Sequence, residues 1–237
     1  MYQEKIKIAF QNININLTEE QVLAYQTYYE MLIEWNQKIN LTAITEFDDV
    51  LLKHFIDSVS LSQAMDLKKI SSVIDVGTGG GFPGIPLKIL YPHLRVTLLD
   101  SLNKRIQFLK AVIEKLQLSD METIHGRAED WGHDAGYREQ YDLCVSRAVA
   151  NLATLSEYCV PFIRVGGMFA AYKSGEVEEE VEKAEHAVRA LHCEKAVIEK
   201  FVLAGTEMTR SFVKIQKKGK LDKKYPRRAG VPGKEPL

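Results

Sequence analysis

A chain of 237 residues with 46% hydrophobic content and a formal charge of −1 can bury one large core with appendages. Its ordinary composition excludes wholesale disorder, and no apolar run approaches the roughly 18 residues of a membrane span. Cys144, Cys159 and Cys193 are odd in number and lack CxxC spacing. They read as small buried hydrophobes rather than a disulfide framework or a metal site.

In chain order, the first ten residues carry Glu4, Lys5 and Lys7 and have no secretory apolar region, so a cytoplasmic protein is expected. Thr18-Glu-Glu-Gln21 has the form of a capping box. Val22, Tyr25, Tyr29, Leu32 and Ile33 follow at helical spacing and predict one buried face. Thr45-Glu-Phe-Asp48 predicts a second helix, which carries His54 and Asp57. Residues 1–68 therefore read as a helical cap. Over 69–216 the pattern alternates, with strands expected at 72–76, 95–99, 121–125, 141–145 and 167–172. Helices are expected between them, near 84–91, 103–116, 150–163 and 176–191. The run Glu176-Val-Glu-Glu-Glu180 reads as a charged helix start. Strand-like segments near 196–203 and 211–216 leave no room for a helix between them and predict a terminal antiparallel pair. An α/β fold results, a Rossmann-like, mostly parallel seven-stranded sheet with an N-terminal helical extension, similar to class I S-adenosylmethionine-dependent methyltransferases. Residues 217–237 form a basic tail. From Lys214 to the end there are nine Lys or Arg against two acids, a local +7, which leaves −8 for the preceding residues. A basic tail on an acidic body suits a polyanion, although a solvated tail would look the same.

The chemistry starts at Asp75-Val-Gly77-Thr78-Gly79-Gly-Gly81, which closes one strand and opens a helix. Glycines permit positive φ and close approach of a ligand to the backbone. The following helix is expected to offer free N–H groups to an anionic part of the cofactor, and Pro83 suits its first turn. The match begins directly on the strand and resembles motif I of methyltransferases. The overlapping Gly79-Gly-Gly81-Phe82-Pro83-Gly84 also fits the GxGxxG dinucleotide fingerprint. Asp100, which ends the second strand, can accept ribose hydroxyls in either case, or can cap the next helix. After the third strand, Gly126-Arg127-Ala128-Glu129 is a candidate turn for adenine contacts.

The fourth strand ends in Ser146-Arg147-Ala148. That is not the Asn/Asp-Pro-Pro-Tyr pattern of exocyclic-amine methylation, no cysteine follows a proline as in C5 methylation, and Arg147 is no acid of a 2′-hydroxyl set. An acceptor that needs no deprotonation fits better. Guanine N7 carries a free lone pair on its exposed edge, and its methylation needs mainly alignment. Arg147 then positions guanine, cofactor or phosphate, or else forms a structural salt bridge. His54, one turn from Asp57 and Ser58, is either a base or a structural hydrogen-bonding residue, and the second is favoured.

Several stretches together resemble the ribosomal RNA small-subunit methyltransferase G family, also called glucose-inhibited division protein B. They are Trp35-Asn-Gln-Lys-Ile-Asn-Leu-Thr42, Lys53-His-Phe-Ile-Asp-Ser58, Asp75 to Gly84, Gly126 to Glu129, Ser146 to Ala148, Tyr172-Lys173, and the tail Tyr225 to Leu237. The resemblance implies S-adenosyl-L-methionine as cofactor and N7-methylation of one guanine in 16S ribosomal RNA, in the loop near the decoding site. The partner is the small ribosomal subunit or its assembly intermediate, and a monomer is expected. It implies cofactor contacts at Gly77, Phe82, Ala128, Glu129 and Arg147, added to those expected at Asp75, Thr78, Gly79 and Asp100. Arg127, Lys173 and Arg210 would handle RNA at the pocket. Arg227 and Arg228 would join the tail lysines on phosphates, with Tyr225 for stacking. The tail is expected to be loosely ordered without RNA.

Overall fold

The computed structural model describes residues 1–147 and 150–237; Ala148 of the sequence motif lies outside them. Helix α1 (Tyr2–Gln11), absent from the expectations above, buries Ile6, Ala9 and Phe10. Helix α2 (Glu19–Asn36) starts at the expected box. Gln21 N–H donates to Thr18 Oγ1 at 3.2 Å, and Thr18 N–H donates to the Gln21 side chain at 3.0 Å. Each satisfies an amide that a helix start leaves free. Its buried face is Val22, Tyr25, Tyr28 and Leu32, so Tyr28 replaces the expected Tyr29. The box predicted at Thr45 does not form. Helix α3 (Phe47–Val50) begins after Glu46 without a side-chain cap. It runs through a π-helical stretch, Leu51–Ile56, into α4 (Asp57–Val59) and α5 (Leu61–Ala64). Such wide turns recur at functional sites, and here Lys53, His54 and Asp57 all reach one cleft.

The alternating region is β1 (Ser72–Val76), α6 (Gly84–Leu90), β2 (Arg95–Asp100), α7 (Asn103–Lys115), β3 (Met121–His125), α8 (Ala128–Trp131) and β4 (Tyr141–Arg147). It continues with α9 (Leu152–Cys159), β5 (Ile163–Ser174), α10 (Glu178–Lys183), α11 (Glu185–Ala190), β6 (Val197–Val202) and β7 (Thr209–Gln216). The seven strands run in the order β3-β2-β1-β4-β5-β7-β6. Strands β1 to β5 are parallel, and β7 is antiparallel to both β5 and β6. The order reverses between β1 and β4, which puts Asp75 and Arg147 at the crevice where open α/β sheets bind ligands.

Each face of the sheet carries its own core. One joins Phe10, Tyr25, Tyr28 and Phe55 of the cap to Val73, Val96 and Val145 of the strands. The other packs α9 and α11 with Leu221 and Tyr225 of the tail. The tail is therefore not loose. Lys217 is fully buried, with Nζ 2.8 Å from Glu139 and 2.8 Å from the Ile163 carbonyl. Tyr225 faces the core rather than a stacking partner. A last short helix, α12 (Val231–Lys234), rests on α9 through Pro232. The expectation failed because it weighed charge and proline content and overlooked the apolar anchors between them. No described helix is long and apolar enough to cross a membrane.

Candidate functional site

Three glycines after β1 turn the chain with positive φ: Gly77 at 73°, Gly79 at 60° and Gly81 at 95°. A Cβ on Gly79 would meet nothing within 4 Å, so this part of the loop is bare toward the cleft. Asp75 is buried beneath it. Its Oδ2 accepts from Thr78 Oγ1 at 2.7 Å and from Gly84 N–H at 2.8 Å, while Oδ1 has no partner. Burial pushes this carboxyl up to about 7. Asp75 thus shapes the loop from inside. It also takes the first amide of α6, which corrects the expectation that this helix end is free for a ligand.

Asp100 ends β2 with both oxygens engaged. Oδ1 accepts from Leu102 N–H at 2.9 Å, and Oδ2 accepts from Gly79 N–H at 2.9 Å and from Arg105 Nη1 at 3.2 Å. The acid ties the second strand to the glycine loop. Arg105 was not foreseen, yet it lines the cleft beside Gly77 and Gly79. Its position in the first turn of α7, where the helix dipole disfavours a cation, was the available signal.

The cap builds the opposite wall. Tyr28 donates its hydroxyl to the Gly80 carbonyl, and its ring stacks on Phe82 at 5.3 Å. His54 stacks on the same ring at 4.5 Å. Asn36 accepts from Leu41 N–H (2.8 Å) and Thr42 N–H (3.0 Å), and Thr42 Oγ1 lies 2.8 Å from His54 Nε2. The Trp-Asn…Leu-Thr stretch is thus a scaffold for His54. Burial and the nearby Arg147 guanidinium lower the His54 imidazole to about 4, so it is neutral near pH 7.

Arg147 leaves the end of β4 and lies over Phe82, 5.2 Å from the ring centroid. Its Nη1 is 2.7 Å from Asp57 Oδ2, and Arg210 Nε from β7 is 2.9 Å from Asp57 Oδ1. One buried carboxylate from the cap thereby fixes two guanidinium groups from the sheet. The salt-bridge reading of Arg147 is realised, and the same side chain lines the cleft. Lys173 also lines it, held by Glu180 at 2.7 Å and the Ala150 carbonyl at 2.9 Å. Glu180, read above as part of a charged helix start, also receives Leu152 N–H at 2.6 Å. The cleft has a volume of about 660 Å³ and is lined by five cations (Lys53, Arg105, Arg147, Lys173 and Arg210) and two acids (Asp57 and Glu180).

Other expected residues lie outside this cleft. Ala128 and Glu129 are buried at the start of α8, where Glu129 Oε1 accepts from Gly230 N–H at 2.9 Å. Arg127 and Arg228 are exposed. Arg227 is not a free cation: it grips the fully buried Glu157 through Nε at 2.9 Å and Nη2 at 2.7 Å.

Comparison with known proteins decides the family. The profile described as rRNA small subunit methyltransferase G matches residues 21–211.

The chain belongs to the rRNA small subunit methyltransferase G family.

Proteins of that name from Alkaliphilus metalliredigens and Bacillus cereus are 45% and 46% identical to it. These matches cover 98% and 99% of this chain and 97% and 98% of the relatives. Among solved structures, an O-methyltransferase from Bacillus cereus in complex with SAH superposes with a TM-score of 0.55 at 18% identity, covering 81% of this chain and 91% of that one. Cofactor-bound Rv0187 from MTB gives 0.56 at 16% identity, covering 82% and 91%. These two likenesses establish the class I methyltransferase fold. For this member of the methyltransferase G family, the sequence motifs and the fold agree.

Proposed function

We propose that this protein transfers a methyl group from S-adenosylmethionine to N7 of one guanine in 16S ribosomal RNA, on the small subunit or its assembly intermediate. The observation that carries the reading is the cleft itself. It sets a bare glycine loop against a cationic wall and, among the described residues, offers no free base.

The loop fits the cofactor better than a dinucleotide. At the start of α6, where a pyrophosphate would need amide donors, the Asp75 carboxyl already takes the Gly84 N–H. The open φ-positive stretch at Gly77 and Gly79 leaves room for a neutral nucleoside and its amino-acid arm. Bound there, the cofactor supplies an electrophilic sulfonium methyl. On the acceptor side, His54 is held neutral and Asp57 is saturated by two guanidinium groups. Among the described residues no side chain in this arrangement is poised to remove a proton, and guanine N7 has none to lose. The task left to the protein is alignment of acceptor, methyl and sulfur. Arg147, fixed by Asp57 and by Phe82, is the positioning residue for that alignment. Lys173 and Arg210 supply positive charge for the RNA backbone within a body that is otherwise acidic. Arg127 and Arg228, both exposed, extend this contact beyond the cleft.

The test incubates the purified protein with labelled S-adenosylmethionine and under-methylated small subunits. Reduction and aniline treatment should then cleave the 16S RNA at a single guanine. Label at another position, or none, would reject the N7 assignment.

A further inference from the structure

The C-terminal segment lies beyond residues 21–211, the part of the chain that the family profile matches. It nevertheless leads back across the sheet to α8 and α9. Two of its contacts involve carboxylates that accept from no other group among the described residues. Arg227 meets the fully buried Glu157 on α9 with its main-chain N–H at 2.7 Å as well as its guanidinium. Gly230, at φ 83°, gives its N–H to Glu129 on α8. Pro226 packs so closely on Gly132, at the end of α8, that a Cβ there would come within 2.9 Å of its ring.

Helix α8 has four residues. One turn of helix is unstable by itself, because nucleation fixes several residues for one hydrogen bond. It needs outside support, and the tail provides it through Gly230 and Pro226. The turn that α8 caps is joined to the ribose-side acid, with Gly126 N–H 3.1 Å from the Asp100 carbonyl. The Glu129 carboxylate is turned to Gly230, so on the cofactor reading the 126–129 turn would meet a nucleobase through its backbone. The first-turn amides of Ala128 and Glu129 have no intrahelical acceptor.

We propose that residues 225–237 are a positioning element for the adenosine half of the cofactor: the strap holds the 126–129 turn in place and thereby sets cofactor affinity. This rests on the cofactor reading above. Within the tail, Lys217 and Arg227 are held by Glu139 and Glu157, so these two cations serve the fold.

The experiment titrates S-adenosylhomocysteine into the full chain and into a chain ending at Lys224, by calorimetry, with RNA affinity measured in parallel. The shortened chain should bind about fivefold to tenfold more weakly, as expected for one lost buried hydrogen bond. Its KM for S-adenosylmethionine should rise while kcat at saturating cofactor stays near the parent value; RNA affinity is compared in Gly230→Pro, which keeps Arg228 and should bind RNA like the parent. Should the shortened chain not fold, Gly230→Pro replaces it. That variant removes the N–H given to Glu129 and cannot adopt the positive φ, and it should show the same weakening. Equal affinity in parent and variant, or weakened RNA binding with cofactor affinity unchanged, overturns the proposal. No binding by the full chain would instead overturn the cofactor reading beneath it.

Discussion

Asp57→Asn tests the centre of the site. Asp57 is 4% exposed and receives Arg147 at 2.7 Å and Arg210 at 2.9 Å. Asparagine keeps the volume and one acceptor oxygen, but turns an N–H₂ toward the second arginine and removes the negative charge between two positive ones. A hydrogen bond to a charged group contributes about 1.5–3 kcal/mol, and one of the two is lost outright. Breaking a buried pair by removing one partner costs about 3–5 kcal/mol. Because the arginine side chains are 16% and 20% exposed, water recovers part of this, which leaves about 2–3 kcal/mol. For a chain of this size each kcal/mol moves Tm by about 2–4 °C, so a fall of roughly 4–12 °C is expected. Methylation should drop further than stability explains, with both arginines released from one geometry. Urea unfolding followed by circular dichroism gives the first number and a methyl-transfer assay the second. A stability change below about 0.5 kcal/mol, the range of ordinary surface substitutions, would refute the bridging role.

Arg147→Ala should lower kcat about 100-fold through misalignment while S-adenosylhomocysteine still binds; calorimetry beside a single-turnover assay separates the two. With His54 lowered to about 4, methyl transfer should be level from about pH 6 to 9, and a rate that follows a group near its ordinary value of about 6.5 would contradict the absence of a base. The same histidine accepts protons more readily unfolded than folded. Its contribution to stability is therefore present above about 6.5 and lost as pH falls toward about 4, and His54→Gln should flatten that part of the stability–pH curve. Asp75 has the opposite sign, since its raised value of about 7 means stability is lost as pH rises from 3.8 through that point. Gly81→Ala places a Cβ 2.6 Å from both Ile85 Cδ1 and Tyr28 Oη at φ 95°. It should destabilise by about 1–3 kcal/mol and weaken cofactor binding, read by thermal melting with and without S-adenosylhomocysteine.

The parallel sheet was legible because short apolar runs alternate with helical stretches, and the short gap before residue 211 left no room for a crossover helix, which forced an antiparallel end. The glycine loop was legible because positive φ demands glycine at fixed spacing. What stayed hidden depends on contacts distant in sequence. Nothing local to Asp57 shows that Arg147 and Arg210, 90 and 153 residues away, converge on it. Glu180 looked like any acid at a helix start until Lys173 and the Leu152 amide met on it. The tail misled for a related reason: charge and proline suggested a solvated segment, whereas Leu221, Tyr225 and Pro232 anchor it.

That anchoring also has a temporal side. Domains fold from the N-terminus as they are made, and Arg227 and Gly230 follow α8, α9 and all seven described strands along the chain. Until they emerge, Glu157 lacks its guanidinium partner and Glu129 lacks the amide that its carboxylate accepts from. The arrangement around α8 and α9 is therefore completed after the sheet that it flanks.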